Sequence, residues 1–215
     1  MTRQQASRVV VVFLAAVALL LAGCAGVTDP TRYYVLSSTP ATPGAATSSA
    51  AASSGVGVGV GPILVPAYLN RAQIVTRGAS DEVDISTYHR WAEPLENGIA
   101  QALANDLATQ IGSERIAVFP WRGRVVQTLD YQVTVVVLRF EGSPGRRVTL
   151  DARWRLVGRD GNELALKRTT IDEPVNGEGY QPLIHGMSRV LGALAREIAV
   201  EIRLRADTRA STTGR

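Results

Sequence analysis

Only one stretch of this 215-residue chain is apolar enough to enter a bilayer, and it is too short to cross one. Residues 9–21 form an uninterrupted run of 13 apolar side chains, preceded by Arg3 and Arg8 and followed by Ala22-Gly23-Cys24. A spanning helix needs ~20 such residues, whereas a basic start, a short apolar core and small residues at its end make a secretory signal. A polytopic membrane protein is therefore excluded, and the residues beyond the leader must fold as a domain in water. The single cysteine, Cys24, also excludes a disulfide-stapled scaffold and any zinc site built on paired cysteines.

The sequence Leu21-Ala22-Gly23-Cys24 resembles the lipobox of bacterial lipoproteins. The resemblance implies that residues 1–23 are a lipoprotein signal peptide, that the Cys24 thiol carries a diacylglycerol, and that its freed amine takes a third (palmitate-type) acyl chain. An ordinary secretory signal with a chance cysteine, or an uncleaved anchor, is the plainer alternative. One acyl chain holds a protein only marginally, but three together make departure negligible. Ala25 follows the cysteine where aspartate would favour inner-membrane retention, so the resemblance implies sorting to the outer membrane. Residues 24–32 then form a lipidated tether; the eight after the cysteine reach at most ~30 Å when extended, which keeps the domain close to its membrane.

The charge is less informative than its sign suggests. The chain carries 23 basic and 19 acidic residues, +4 in all, and removing Arg3 and Arg8 with the leader leaves 21 against 19, or +2. Lys167 is the only lysine, no block of five or six like charges occurs, and the Arg203, Arg205, Arg209 series reads as a solvated helix end. Nucleic acid is not an expected partner.

The main domain is expected over residues 33–206, with residues 37–54, rich in Ser, Ala, Thr, Pro and Gly, as a disordered loop and residues 207–215 as a disordered tail. Residues 33–36 are too short to fold alone and should return to the domain's sheet. Residues 56–62 alternate valine and glycine, which predicts a strand with close backbone approach on one face; a phosphate-binding Gly-x-Gly-x-x-Gly fails because Pro62 stands at the third glycine and no helix follows. Strands are predicted at 63–65, 73–77 and 83–87, and a buried strand at 115–119. Pro94 opens a helix whose stripe is Ile99, Leu103, Leu107 and Ile111, with Gly112 as its carboxyl cap. Residues 131–141 and 146–157 make a hairpin around Gly142-Ser143-Pro144-Gly145, and a further turn leads into residues 163–171. A last helix over 182–204 shows the stripe Leu183, Met187, Val190, Leu191, Leu194, Ile198 and Ile202. The fold class is α+β, a single domain with two helices on a mostly antiparallel or mixed sheet.

Nothing in the sequence argues for catalysis. His89 and His185 are the only histidines, no metal-ligand spacing or G-x-S-x-G elbow occurs, and no cofactor or metal is expected. The acidic cluster Asp81, Glu82 and Asp84 reads as a solvated turn, with a hard-cation site as the alternative.

The longer stretches carry a resemblance. Val-Gly-Pro-Ile-Leu-Val-Pro-Ala-Tyr-Leu-Asn-Arg-Ala-Gln-Ile-Val-Thr-Arg at 60–77, Arg90-Trp91-Ala92-Glu93-Pro94-Leu95, Phe119-Pro120-Trp121 and Tyr33-Tyr34-Val35-Leu36 all lie behind the lipobox. Together they resemble the PqiC (YmbA) family of ABC-type transport auxiliary lipoproteins across essentially the whole mature chain. Departures are the inserted loop after Leu36 and Asn70 where the family often has aspartate. The resemblance implies a non-enzymatic outer-membrane lipoprotein facing the periplasm. It would dock the far end of a conduit formed by an MCE-domain protein and inner-membrane transporter subunits, supporting phospholipid transport and envelope integrity, as part of a homo-oligomer.

Tyr68, Leu69, Arg71, Gln73, Arg77, Arg90 and Trp91 mix aromatic, arginine and amide chemistry, the types enriched at interface anchors, and are the candidate partner-binding residues. The plainer reading makes Tyr68 and Trp91 core residues and pairs the arginines with local acids such as Glu93. Two other functions stay open: a structural lipoprotein bracing an outer-membrane assembly, and a lipid-tethered hydrolase with a nucleophile near one histidine.

Overall fold

The computed structural model of the chain describes residues 30–38, 55–78 and 82–213, with side chains to residue 208. The signal peptide, Cys24, most of the tether, residues 39–54 and Asp81 lie outside the described residues. Within the described residues, eight strands and three helices run in the order β1 (Arg32–Tyr34), β2 (Val58–Leu64), β3 (Gln73–Arg77), β4 (Val83–Trp91), α1 (Leu95–Ile111), β5 (Ile116–Val118), α2 (Arg124–Thr128), β6 (Tyr131–Gly142), β7 (Arg147–Gly158), β8 (Glu163–Pro174) and α3 (Tyr180–Thr213). The class is α+β, in one domain, as the sequence predicts.

The strands form two sheets rather than one. A five-stranded mixed sheet has the order β5-β2-β6-β7-β8, and a three-stranded sheet the order β1-β4-β3. In the larger sheet the long antiparallel run β6-β7-β8 comes from the two predicted turns, and β2 lies parallel between β5 and β6. Residues 33–36 do return to the domain, but through the small sheet: β1 runs parallel to β4, with Tyr33 opposite Arg90.

Helices α1 and α3 pack against each other and cover one face of the large sheet. All seven apolar residues of the α3 stripe are at most 1% exposed, so each contributes roughly 1.5–3 kcal/mol of burial. They meet Val133, Val135, Val148, Leu150, Trp154 and Leu156 in a core that also takes in Leu69, Ile74, Val75 and Trp91 from the small-sheet side. The one lysine is used here: Lys167 reaches Glu201 of α3 at 2.9 Å and lies 5.5 Å from the Trp154 ring centre.

Several boundaries differ from expectation. β4 runs on to Trp91, so Arg90 and Trp91 belong to a strand and not to a loop before α1. β5 is a half-buried edge strand, because only β2 pairs with it. The five-residue α2 carries no apolar period and is invisible in the sequence. α3 continues to Thr213, past the expected end at 204 and into the stretch expected to be a tail; after Leu204 no glycine or proline stands before Gly214 to stop it, and Arg205, Ala206, Arg209 and Ala210 favour helix among weaker formers.

The valine–glycine strand behaves as its alternation predicts. Val58 and Val60 are fully buried, while a Cβ on Gly57 would lie 2.1 Å from the Thr128 carbonyl oxygen. On Gly59 it would meet the Leu129 and Trp121 side chains at 2.8 and 3.0 Å. A backbone carbonyl cannot turn aside as a side chain can. Gly57→Ala should therefore lower stability by about 2–3 kcal/mol and Gly59→Ala by less, as read by urea denaturation; equal effects would contradict this packing.

Candidate functional site

The alternation of β6 has a break in it. Tyr131, Val133, Val135 and Val137 all point into the helix-covered core. Continued in register, that parity would drive the charged Arg139 and Glu141 into the same apolar space. A bulge at Leu138 prevents it: the pairing with β7 shifts between Val137 and Arg139, and Glu141 comes to stand opposite Thr149 on the other face. One extra residue exchanges the two faces of everything beyond it.

On that face Glu141 is enclosed by the small sheet. Its side chain has no solvent exposure, yet both carboxylate oxygens are bonded. Oε1 accepts from Nε of Arg77 at 2.6 Å and Nε of Arg139 at 3.2 Å. Oε2 accepts from the Tyr68 hydroxyl at 2.8 Å and the Phe140 backbone N–H at 3.0 Å. Burial pushes the carboxyl upward, but the hydrogen bonds from Tyr68, Arg77, Phe140 and Arg139 together outweigh it and hold Glu141 below the usual glutamate range. Burial and the bond to Glu141 push the Tyr68 phenol from its ordinary 10.0 up to about 12. Arg77, bonded to Glu141 and 5.9 Å from the Tyr68 ring centre, is held still more firmly charged.

Beside this cluster the β6–β7 turn forms the wall of an open pocket of about 380 Å³, lined by Arg77, Arg139, Arg146 and Arg147 around Glu141. The turn is braced on both sides. The Ser143 hydroxyl donates to the Arg77 carbonyl, and the Gly145 N–H donates to the Gly177 carbonyl at 3.1 Å.

A second cluster lies where the tether joins the domain. His89 of β4 stacks on Tyr180 with ring centres 3.7 Å apart, and its Nδ1 is joined to the Tyr34 hydroxyl by a 2.8 Å hydrogen bond. Burial, and then the nearby Arg32, push His89 below the usual histidine range, so it is neutral at pH 7. These rings border an open cleft that includes Arg32 and Tyr33. The ring partners of His89 are phenols, while Ser86 bonds only its backbone N–H. His185 is exposed on α3, five residues after Tyr180.

The seven candidate partner-binding residues thus separate. Tyr68 and Arg77 meet over Glu141. Leu69 and Trp91 are 2% and 6% exposed and pack in the core, as the plainer reading has it for Trp91, so they present little surface here. Arg71 is exposed on the turn before β3, Gln73 stands opposite Arg90 in register, and Arg90 is half-buried with its Nε lacking a hydrogen-bond partner. Glu93, proposed as a partner for the arginines, has no ion pair with them among the described residues; Glu141 takes that role for Arg77. Sequence reasoning missed Glu141 and the arginines of the turn. The available signal was the pair of charges at 139 and 141 on the apolar parity of a strand, which requires a bulge.

Comparison with known proteins covers most of this architecture. A family model described as the ABC-type transport auxiliary lipoprotein component matches residues 34–199. The chain is 26% identical over 186 residues to the intermembrane transport lipoprotein PqiC of Escherichia coli K12, covering 86% of this chain and 94% of that protein, and equally to PqiC of Shigella flexneri. The fold is similar to the crystal structure of an uncharacterized protein (TM-score 0.64, 19% identity, 80% of this chain and 98% of the other). It is also similar to that of a Xanthomonas campestris protein (TM-score 0.59, 16% identity, 82% and 99%).

Glu141→Gln keeps the size of the side chain but leaves Arg77 and Arg139 without their counter-charge. It should cost roughly 3 kcal/mol at pH 7, the low end for breaking a buried pair, because both arginines keep some contact with water. The carboxyl is lowered in the fold, so its contribution is complete above the ordinary 4.5 and is lost as pH falls through the folded value. The Tyr68 contribution is complete below 10.0 and is lost as pH rises toward about 12. The gap between wild type and Glu141→Gln, followed by urea denaturation, should therefore begin to shrink as pH falls below the ordinary 4.5 and close below the folded value; a gap that persists unchanged in acid would refute the ion-pair account.

Proposed function

This chain belongs to the family of ABC-type transport auxiliary lipoprotein components, and on that footing we propose that it is the outer-membrane lipoprotein of an MCE-type intermembrane lipid transport system. Acyl chains on Cys24 hold it in the inner leaflet of the outer membrane, facing the periplasm. Its domain docks the far end of a conduit built by an MCE-domain protein, with inner-membrane transporter subunits at the other end, and phospholipid passes between the membranes. Copies of the chain assemble as a ring so that each repeats the same contact.

The observation that carries this reading is the agreement in length and order between the matched family region, residues 34–199, and the folded domain, with the lipobox-like Cys24 just before it. The geometry is compatible with a short anchor. β1 begins eight residues after Cys24 and is paired to β4, and Tyr34 and His89 are locked to the start of α3. A domain held this close cannot cross the periplasm, so lipid must be brought to it by a partner. Among the described residues no helix is long and apolar enough to cross a membrane.

Docking is assigned to the exposed part of the 68–77 segment, with Arg71 as its outermost charge. A photo-crosslinker at Arg71 in the native envelope should capture an MCE-domain protein, whereas the same group at the buried Trp91 should not. Mass spectrometry of the native product should find the leader removed and Cys24 acylated, and Cys24→Ala should release the protein from the outer-membrane fraction. A bare thiol at Cys24 would remove both lipoprotein readings, whereas capture from Arg71 of outer-membrane assembly proteins alone would favour a bracing role instead.

A further inference from the structure

We propose that the arginine pocket beside Glu141 is a binding site for a phosphate group, its natural source being the phosphodiester of a phospholipid headgroup. The lining holds four guanidinium groups, those of Arg77, Arg139, Arg146 and Arg147, against one carboxylate, a surplus of three positive charges. That carboxylate does not neutralise the opening. Glu141 is fully buried and its oxygens are occupied by four donors, so it acts as a floor that fixes Arg77 and Arg139 by their Nε atoms.

Around this floor Arg146 has no carboxylate within ion-pair distance among the described residues, while Arg147 keeps one long, exposed ion pair of 3.8 Å with Oδ2 of Asp172, whose Oδ1 accepts from the Thr149 hydroxyl. Asp151 stands opposite Arg139 and feels its charge, but both of its oxygens are bonded by Arg168, at 2.9 and 2.6 Å. Glu178 brings its carboxylate to the turn at Gly145 without lining the pocket, and Glu173 pairs with Arg189.

The geometry favours phosphate over a bulkier partner. The pocket is concave and about 380 Å³, sized for a small headgroup, and its rim is the braced turn at residues 143–146. Planar guanidinium forks match the tetrahedral phosphate oxygens in bidentate bonds, and a surplus of fixed charge in a recess holds an anion more tightly than scattered surface arginines do. The lipid source of the phosphate rests on the transport reading; the anion site itself does not.

The test uses the full chain in non-ionic detergent, titrated calorimetrically at low salt with glycerophosphoglycerol, inorganic phosphate and acetate. The phosphodiester should bind saturably at one site per chain, and Arg139→Ala and Arg146→Ala should each weaken it about tenfold, the size of one charge-assisted bond. Arg155→Ala, an exposed arginine near the other end of β7, should leave it unchanged. Tighter binding of the phosphodiester than of inorganic phosphate assigns the site to lipid headgroups, and the reverse assigns it to free phosphate; both uphold a phosphate site. Equal binding of acetate, binding indifferent to Arg139 and Arg146, or no saturable binding overturns it. Absence of binding with an MCE partner still captured at Arg71 removes only the pocket, whereas binding without any such partner removes only the transport assignment.

Discussion

The two sheets of this domain are joined through one buried carboxylate. Glu141 leaves β6 at its end and collects Tyr68 from the loop after β2, Arg77 from β3 and Arg139 from its own strand. Burying an ionised group is costly unless it is paired and hydrogen-bonded, and here four donors meet that requirement at once. Because the donors come from different elements, they can satisfy Glu141 only when the small sheet is seated. The interaction therefore specifies where that sheet lies as well as stabilising it.

Its position also sets what the surface can do. Arg77 and Arg139 are drawn inward by their Nε atoms, and the hairpin turn behind them is bonded to both β3 and the segment before α3. The result is a braced basic recess where β3 of the small sheet meets the β6–β7 hairpin of the larger one. At the other edge of the small sheet, β1 receives the chain from the Cys24 side and is clamped through Tyr34, His89 and Tyr180. The small sheet thus carries the incoming tether and one wall of the charged recess. The larger sheet supplies the recess's other three arginines from the β6–β7 hairpin and, with its two long helices, most of the apolar burial. This division suits a domain whose core is scaffold and whose function is to hold and present a surface.

The extent to which the sequence disclosed this depended on whether a signal was local. The α1 stripe with its Gly112 cap, the turns at 142–145 and 159–162, and the α3 stripe were all legible, because period and turn chemistry act over a few residues. The close approach at Gly57 and Gly59 was legible too, since glycine on one face of a valine strand has few other uses. The bulge at Leu138 left a local trace in the charges at 139 and 141, but the division into two sheets and the parallel placement of β1 left none. Both depend on which distant strand lies alongside.

The amino-acid sequence by itself determined the class of the fold, the faces of its helices, the leader-like start ending in a lone cysteine, and the family likeness carried by residues 33–36, 60–77, 90–95 and 119–121. Only the tertiary structure decided that Leu69 and Trp91 are core, that Glu141 is the partner of Tyr68 and Arg77, and that four arginines converge on one recess. Periodicity reports which way a side chain faces relative to its own backbone. It carries no information on what stands opposite, and ion pairs and hydrogen bonds between residues 64 or 73 positions apart are made by what stands opposite.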